Sequence, residues 1–257
     1  MIQSPYVHVQ QLSAKYTSPK GDLETLENIT ISISKGEFVC VLGPSGCGKS
    51  TLLRVIAGLL QPTTGTVTIN GKEHRHPGLE IGMVFQHANL LPWRTVKENI
   101  ALPLELAHRP AAEIDTLTQN LIHKVGLTHF EHEYPRNLSG GMAQRTAIAR
   151  VLAQNPDIML LDEPFGQLDA ITREWMGIEL LTLWEQDKRT VLMVTHDVEE
   201  AALLADRVII LTPRPGQIAS ILPITLKRPR YQMRRSSPDL QTVAQQLRDL
   251  LGYGSAR

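Results

Sequence analysis

The apolar stretch Phe-Val-Cys-Val-Leu at residues 38–42 runs straight into Gly43-Pro44-Ser45-Gly46-Cys47-Gly48-Lys49-Ser50-Thr51, and the helix-forming TLLRVIAGLL follows. No other feature limits the possible folds so strongly. A glycine-rich loop between a strand and a helix turns backbone N–H groups inward around phosphate oxygens. The helix adds its positive end and Lys49 a full charge. Ser50, at the start of the helix, is placed to hold Mg²⁺. The loop predicts an α/β core, because it needs a strand behind it and a helix ahead of it. By itself it leaves kinases, GTPases and many ATPases open.

The rest of the chain agrees with that core. Residues 158–161 and 191–194 are further short, continuously apolar runs, each followed by a helix-like segment. Strands covered on both faces by helices have this pattern, so a parallel sheet is expected. Val7 and Val9, and then Ile29, Ile31 and Ile33, alternate with polar residues, and residues 66–69 precede Asn70-Gly71 as a hairpin arm does. These predict an antiparallel β-layer. Between Gln86 and Asp157 the strand signal disappears, and residues 96–107, 111–125 and 139–153 read as helices. Ser237-Pro238-Asp239 resembles a helix start, with Leu240, Val243, Leu247 and Leu250 as an apolar stripe that should pack back. One domain over all 257 residues is expected: a core with β-layer (1–86 and 157–222), a helical subdomain (87–156), and a tail with a terminal helix (223–257).

Two further segments carry chemistry. The run at residues 158–161 ends in Asp162-Glu163, and ligands of α/β sheets gather at such carboxyl ends. Asp162 can support Mg²⁺, directly or through water, and Glu163 can polarise an attacking water. Leu138-Ser139-Gly140-Gly141-Met142 precedes a second helix, so Ser139 is a good N-cap and the segment a second candidate anion site.

Lysine plus arginine equals aspartate plus glutamate, 26 each. There is no overall basic field, and no nucleic-acid partner is expected. No run of about 18 apolar residues occurs, and MIQSPYVHVQ lacks the pattern of a secretion signal. A chain of this kind could drive transport only through other, membrane-spanning subunits. Cys40 and Cys47 form no disulfide framework and fit a reducing cytosol. Cys47, at a helix start beside Lys49, is expected to have a lowered pKa and to react with thiol reagents, blocking nucleotide binding. His74 with His76 and His129 with His132 have spacings a metal could use, but without nearby cysteines they read as exposed polar residues. The basic run Lys227, Arg228, Arg230, Arg234, Arg235 reads as a solvated surface or, alternatively, a contact for anionic lipid or a membrane subunit.

GPSGCGKST, Gln86, LSGGM, IMLLDEP, GQLDA and the isolated His196 occur in the order seen in ABC ATPases, and the resemblance covers nearly the whole chain. It implies a P-loop NTPase core with an antiparallel β-layer and a helical subdomain. It also implies a dimer in which each ATP lies between one phosphate loop (Gly43 to Thr51) and the partner's LSGG segment, so that Ser139, Gly140 and Gly141 act in trans. By the same resemblance Tyr16 stacks on adenine, Gln86 touches Mg²⁺ and water, and His196 bonds the γ-phosphate and helps position Glu163. Asp169, in Gly166-Gln167-Leu168-Asp169, braces the dimer. Met142 stands where many members have glutamine, which removes a side chain that could reach ribose.

LLPWRTVKENIALPLEL, PFGQLDAITRE and LTPRPGQI resemble the subgroup that energises nitrate, sulfonate, taurine and bicarbonate-type importers. That resemblance implies a peripheral ATP-hydrolysing subunit on the cytoplasmic face of the membrane. Its partners would be a second copy or a paralogous ATPase, integral permease subunits and, indirectly, a solute-binding protein. Residues 88–106 would meet the permease, with Leu90, Leu91 and Trp93 as apolar anchors. The alternative is a soluble ABC ATPase acting on a macromolecular complex. Duplicated cassettes, long coiled coils or metal-binding cysteines would mark that class, and the sequence has none of them.

Overall fold

The computed structural model describes residues 5–18, 21–233 and 235–252. In chain order the elements are β1 (Val7–Ser18), β2 (Gly21–Ile33), β3 (Phe38–Leu42), α1 (Lys49–Ile56), β4 (Thr64–Ile69), β5 (Lys72–Glu73) and β6 (Ile81–Val84). Then follow α2 (Val96–Leu106), α3 (Ala111–Lys124), α4 (Gly140–Gln154), β7 (Ile158–Asp162), α5 (Ala170–Asp187), β8 (Thr190–Val194), α6 (Val198–Leu204), β9 (Arg207–Leu211), β10 (Ile218–Pro223) and α7 (Pro238–Leu250). They fall into two units, Met1–Gly78 with Asp187–Arg257, and Leu79–Gln186.

In the first unit the alternating segments form an antiparallel layer ordered β2-β1-β4-β5. Val7, Val9, Ile29, Ile31 and Ile33 all face its buried side, as the period of two requires. Asn70 and Gly71 take φ of 49° and 75°, the left-handed pair that a tight hairpin needs, and reverse β4 into β5. A second set of strands runs β10-β9-β3-β8. β3 pairs in parallel with both β8 and β9, while β10 closes the edge antiparallel to β9. Every residue of β3 and β8 is buried, which explains their unbroken apolar character. Each such Val, Leu or Ile contributes about 1.5–3 kcal/mol relative to exposure. α1 packs against β8 and α6 against β3. α7, with Ser237 at its N-cap position and Pro238 in its first turn, buries Leu240, Val243, Ala244 and Leu247 and packs on α6. Leu250, expected on the same stripe, is exposed, because it is the last helical residue and lies past the end of that packing.

In the second unit β6 and β7 pair in parallel, and α2, α3 and α4 pack on one another. Their shared core is Val96, Ile100, Leu104, Ile122, Val125, Leu127, Ala149 and Ala153. Thr95 starts α2 with a reciprocal capping box: Glu98 N donates to its hydroxyl at 3.3 Å, and Thr95 N donates to Glu98 Oε2 at 2.7 Å. Such a cap is worth about 1 kcal/mol. Among the described residues, no helix is long and apolar enough to cross a membrane.

Candidate functional site

The phosphate loop leaves β3 at Leu42 and enters α1 at Lys49. Lys49 is buried, and its ammonium donates to the loop carbonyls of Gly43 at 2.8 Å and Pro44 at 3.0 Å. The positive charge is therefore held over the loop. Ser45 and Gly46 at the tip are exposed, and Thr51 is buried in the first turn of α1. Gly48 caps α1 at φ 106°. A Cβ there would come within 2.6 Å of both the Thr25 carbonyl and Leu26 Cδ2, so neither its conformation nor its surroundings admit a side chain. The loop amides and the start of α1 together present partial positive charge suited to phosphate.

His196 follows β8 and is exposed. Val41 of β3 and Val194 of β8 are register partners in a parallel pair, so the histidine and the phosphate loop leave the same end of neighbouring strands. Its turn is held from within. The buried Thr195 donates its hydroxyl to the buried Glu200 at 2.7 Å and accepts from Asp197 N at 3.0 Å. Asp197 in turn caps α6 by accepting from the amides of Glu199 and Glu200. Sequence reasoning missed this support. The available signal was an acidic residue, Glu200, directly ahead of the apolar Ala201 to Leu204. Tyr16 lies within β1, which continues to Ser18. It is half-buried, and its hydroxyl accepts from Arg54 Nη1 of α1 at 3.3 Å.

The second unit carries the acids. Asp162 is the last residue of β7 and only 3% exposed. Glu163 follows at φ 45°, a left-handed conformation that costs a non-glycine residue about 1 kcal/mol or more. Gln86, two residues past β6, donates its amide to Glu163 Oε2 at 3.4 Å, so the expected water-handling pair is brought together. Ser139 caps α4 and accepts from Met142 N at 3.3 Å. A Cβ on Gly140 would approach Gln167, and one on Gly141 would approach Leu168, which places LSGG beside the 166–169 turn. Asp169 is exposed and accepts from Thr172 N at 3.0 Å. Hydrogen bonds from Thr172 hold its carboxyl below the ordinary carboxylate range.

Three supports in α4 had no recognisable sequence signal, because they act on backbone. The buried Gln144 donates to Phe85 O at 3.1 Å. Arg150 donates to the carbonyls of Ala88 and Asn89 at 3.0 and 3.1 Å. Gln154 donates to those of Leu79 and Ile81. Together they pin both flanks of β6 and the segment that carries Gln86.

Several expectations are corrected. Cys47 is 1% exposed, and burial pushes its thiol above the ordinary value, outweighing the nearby Lys49 charge that pulls it down. The expected lowering of its pKa is reversed, because desolvation disfavours the thiolate. The basic run is not a solvated face or a free lipid contact. Arg230 is 1% exposed and bonded to the carbonyls of Leu203, Ala205, Ile224 and Leu226. Arg228 pairs with Asp206 at 2.8 Å, and Arg235 approaches Asp197 and Glu199 at 3.7 and 3.6 Å. Lys227 alone of those described is exposed, and Arg234 lies outside the described residues. Met142 turns toward the helical core. Leu90 and Leu91 are half-buried, leaving Trp93, 70% exposed, as the large apolar side chain of that loop. Asn99, fully buried, braces the loop through Leu91 N, Leu91 O and Arg94 O.

A family model described as ABC transporter matches residues 26–166. The chain is 50% identical over 222 residues to an uncharacterized ABC transporter ATP-binding protein of Methanocaldococcus jannaschii, covering 86% of this chain and 83% of that protein. It is 44% identical to the nitrate import ATP-binding protein NrtD of Synechococcus elongatus (89% and 85% covered). It is 46% identical to the aliphatic sulfonates import ATP-binding protein SsuB of Bacillus licheniformis (89% and 88% covered). A solved dimeric ATP-binding cassette in a post-hydrolysis state with ADP and Pi superposes with a TM-score of 0.75 at 35% identity, covering 82% of this chain and 98% of that one.

Proposed function

The chain belongs to the ABC transporter family, whose ATP-binding subunits hydrolyse ATP, and from that premise we propose that it energises an importer of small anions of the nitrate and sulfonate type. The names of the nitrate and sulfonate import relatives at 44% and 46% identity carry the import reading. The buried Lys49 over a glycine loop supports the chemistry. In this reading the chain is one ABC ATPase domain with a helical subdomain at 87–156, acting as a pair of copies, or with a paralogous ATPase. It would sit at the cytoplasmic face of a membrane beside separate permease subunits, and a solute-binding protein would deliver the anion.

The roles follow from the side chains. Tyr16 offers a ring face to adenine. The amides from Gly43 to Thr51, with Lys49, hold the phosphates. Ser50, Asp162 and Gln86 supply hydroxyl, carboxylate and amide oxygens, the hard donors that suit Mg²⁺, and they are the residues that would hold it. The ion supplies neutralisation of phosphate charge. Glu163 accepts a proton from water as the water oxygen bonds the γ-phosphorus and the bond to the β,γ-bridging oxygen breaks, giving ADP and inorganic phosphate. His196 donates to the γ-phosphate and steadies that geometry. Ser139, Gly140 and Gly141 of the partner copy close on the same phosphate, with Asp169 bracing the pair. ATP thus contacts both copies and favours closure, and hydrolysis removes the link. Trp93 is the anchor we assign to the permease contact.

Glu163→Gln tests the reading. Turnover should fall by about a hundredfold or more while ATP stays bound, and the variant with Mg-ATP should elute as a dimer on gel filtration. Ordinary turnover, or a monomer at saturating Mg-ATP with and without the permease, would contradict the proposal. Affinity purification from detergent-solubilised membranes should recover a permease. Recovery of a soluble macromolecular complex instead would favour the non-transport class.

A further inference from the structure

The turn between β9 and β10, Thr212-Pro213-Arg214-Pro215-Gly216-Gln217, has no part in the chemistry above, yet it lies directly against the phosphate loop. A Cβ built on Gly216 would stand 2.1 Å from the carbonyl oxygen of Cys47 and 3.4 Å from Leu26 Cδ2. No carbon can occupy that position. Gly216 is not among the positive-φ glycines of the chain, so what excludes a side chain is the contact and not the backbone conformation.

Gly216 is itself fastened to β2. Its N–H donates to Thr25 O at 2.9 Å, and its carbonyl accepts from Glu27 N at 3.0 Å. The turn is closed by Thr212, whose N–H donates to Gln217 O at 2.9 Å. Its hydroxyl donates to Pro215 O at 3.2 Å and accepts from Gln217 N at 3.0 Å. Gln217 then reaches Glu27 Oε2 at 2.7 Å. The same stretch of β2 blocks the other side of the loop, since Thr25 O and Leu26 are what a Cβ on Gly48 would strike.

The Cys47–Gly48 peptide is therefore confined on two sides, its carbonyl against Gly216 and its following Cα against Thr25 and Leu26. A peptide unit is planar, with C=O and N–H pointing in opposite directions. Fixing the Cys47 carbonyl thus fixes the direction of the Gly48 N–H, one of the donors of the anion-binding loop. We propose that the 212–217 turn is a positioning element of the nucleotide site, and that Gly216 is the positioning residue that aims the Cys47–Gly48 peptide at bound phosphate. The inference rests on the reading of residues 43–51 as an ATP-binding loop and extends that reading to a part of the chain outside every motif assigned to nucleotide.

Full-length wild type, Gly216→Ala, Thr212→Val and Gly71→Ala are compared by calorimetric titration with Mg-ATP, thermal melting without nucleotide, and steady-state hydrolysis. Gly71 is a control, because it has positive φ and open space around it, so alanine strains its turn without touching the loop. Gly216→Ala should raise the ATP Kd and KM about tenfold or more, with a smaller fall in kcat. Gly71→Ala should lower Tm and leave Kd unchanged. A Gly216→Ala protein that binds ATP like wild type would overturn the proposal. If that variant does not fold, Thr212→Val, which loosens the turn without adding bulk near Cys47, decides the matter. A threefold rise in KM, an order-of-magnitude expectation, is predicted, and an unchanged KM would overturn the inference. Wild type that fails to bind Mg-ATP would sink the nucleotide reading and this inference together. Binding equal in wild type and both turn variants would sink this inference alone.

Discussion

Cys47 and Lys49 are two residues apart in one loop, and their environments lead to opposite chemistry. The lysine ammonium is held by hydrogen bonds to carbonyl oxygens, whereas the thiol is buried and its pKa raised. A raised pKa leaves less thiolate at any given pH, and the thiolate is the reactive species. Iodoacetamide at neutral pH, followed by mass spectrometry of the Cys47 peptide, should show modification about tenfold or more slower in the folded protein than in urea. Equal rates would mean that the loop does not shelter the thiol. The sequence placed Lys49 at the start of α1 and Asp162-Glu163 at the end of β7, where the structure has them. It misled at Cys47, because proximity to a charge is visible in sequence and desolvation is not.

Among the elements, the segment between β10 and α7 departs furthest from its composition. Its arginines look like a basic surface, but Arg230 works as an internal clamp that satisfies carbonyls at the end of α6 and after β10. Removing a buried guanidinium leaves those acceptors unpaired, so Arg230→Ala should lower stability by about 3 kcal/mol. Arg230→Lys should restore only part of that loss, because an ammonium cannot reproduce the planar fork. Urea unfolding followed by circular dichroism measures both, and a loss under about 1 kcal/mol for alanine would contradict the clamp. α4 is a similar case. Its helical character and Ser139 cap were readable from Ser-Gly-Gly ahead of a helix-forming run. The reach of Gln144, Arg150 and Gln154 to the backbone around β6 was not, because those partners lie 59 to 75 residues away.

For the whole molecule, ligand binding and folding are linked. A nucleotide that binds only the folded chain stabilises it by about 2.7 kcal/mol at a hundred times Kd. Mg-ATP should therefore raise the Tm of wild type, and Lys49→Ala, which removes the loop's full charge, should abolish most of the shift. Differential scanning calorimetry reads the effect, and an equal shift in Lys49→Ala would argue that nucleotide binds somewhere other than residues 43–51.

What the sequence determined unaided was local or periodic. The phosphate loop, the apolar strands that support it, the hairpin at Asn70-Gly71, the helices after Thr95 and Ser139, and the order of the motifs all depend on neighbours a few residues apart. Only the tertiary structure decided how deeply Cys47 and Arg230 are buried, that Thr195 and Glu200 hold the His196 turn, and that Gly216 stands against the phosphate loop. The physical reason is the same each time. Burial, desolvation and hydrogen bonds to distant carbonyls depend on which segments meet in space, and no spacing within one segment records that.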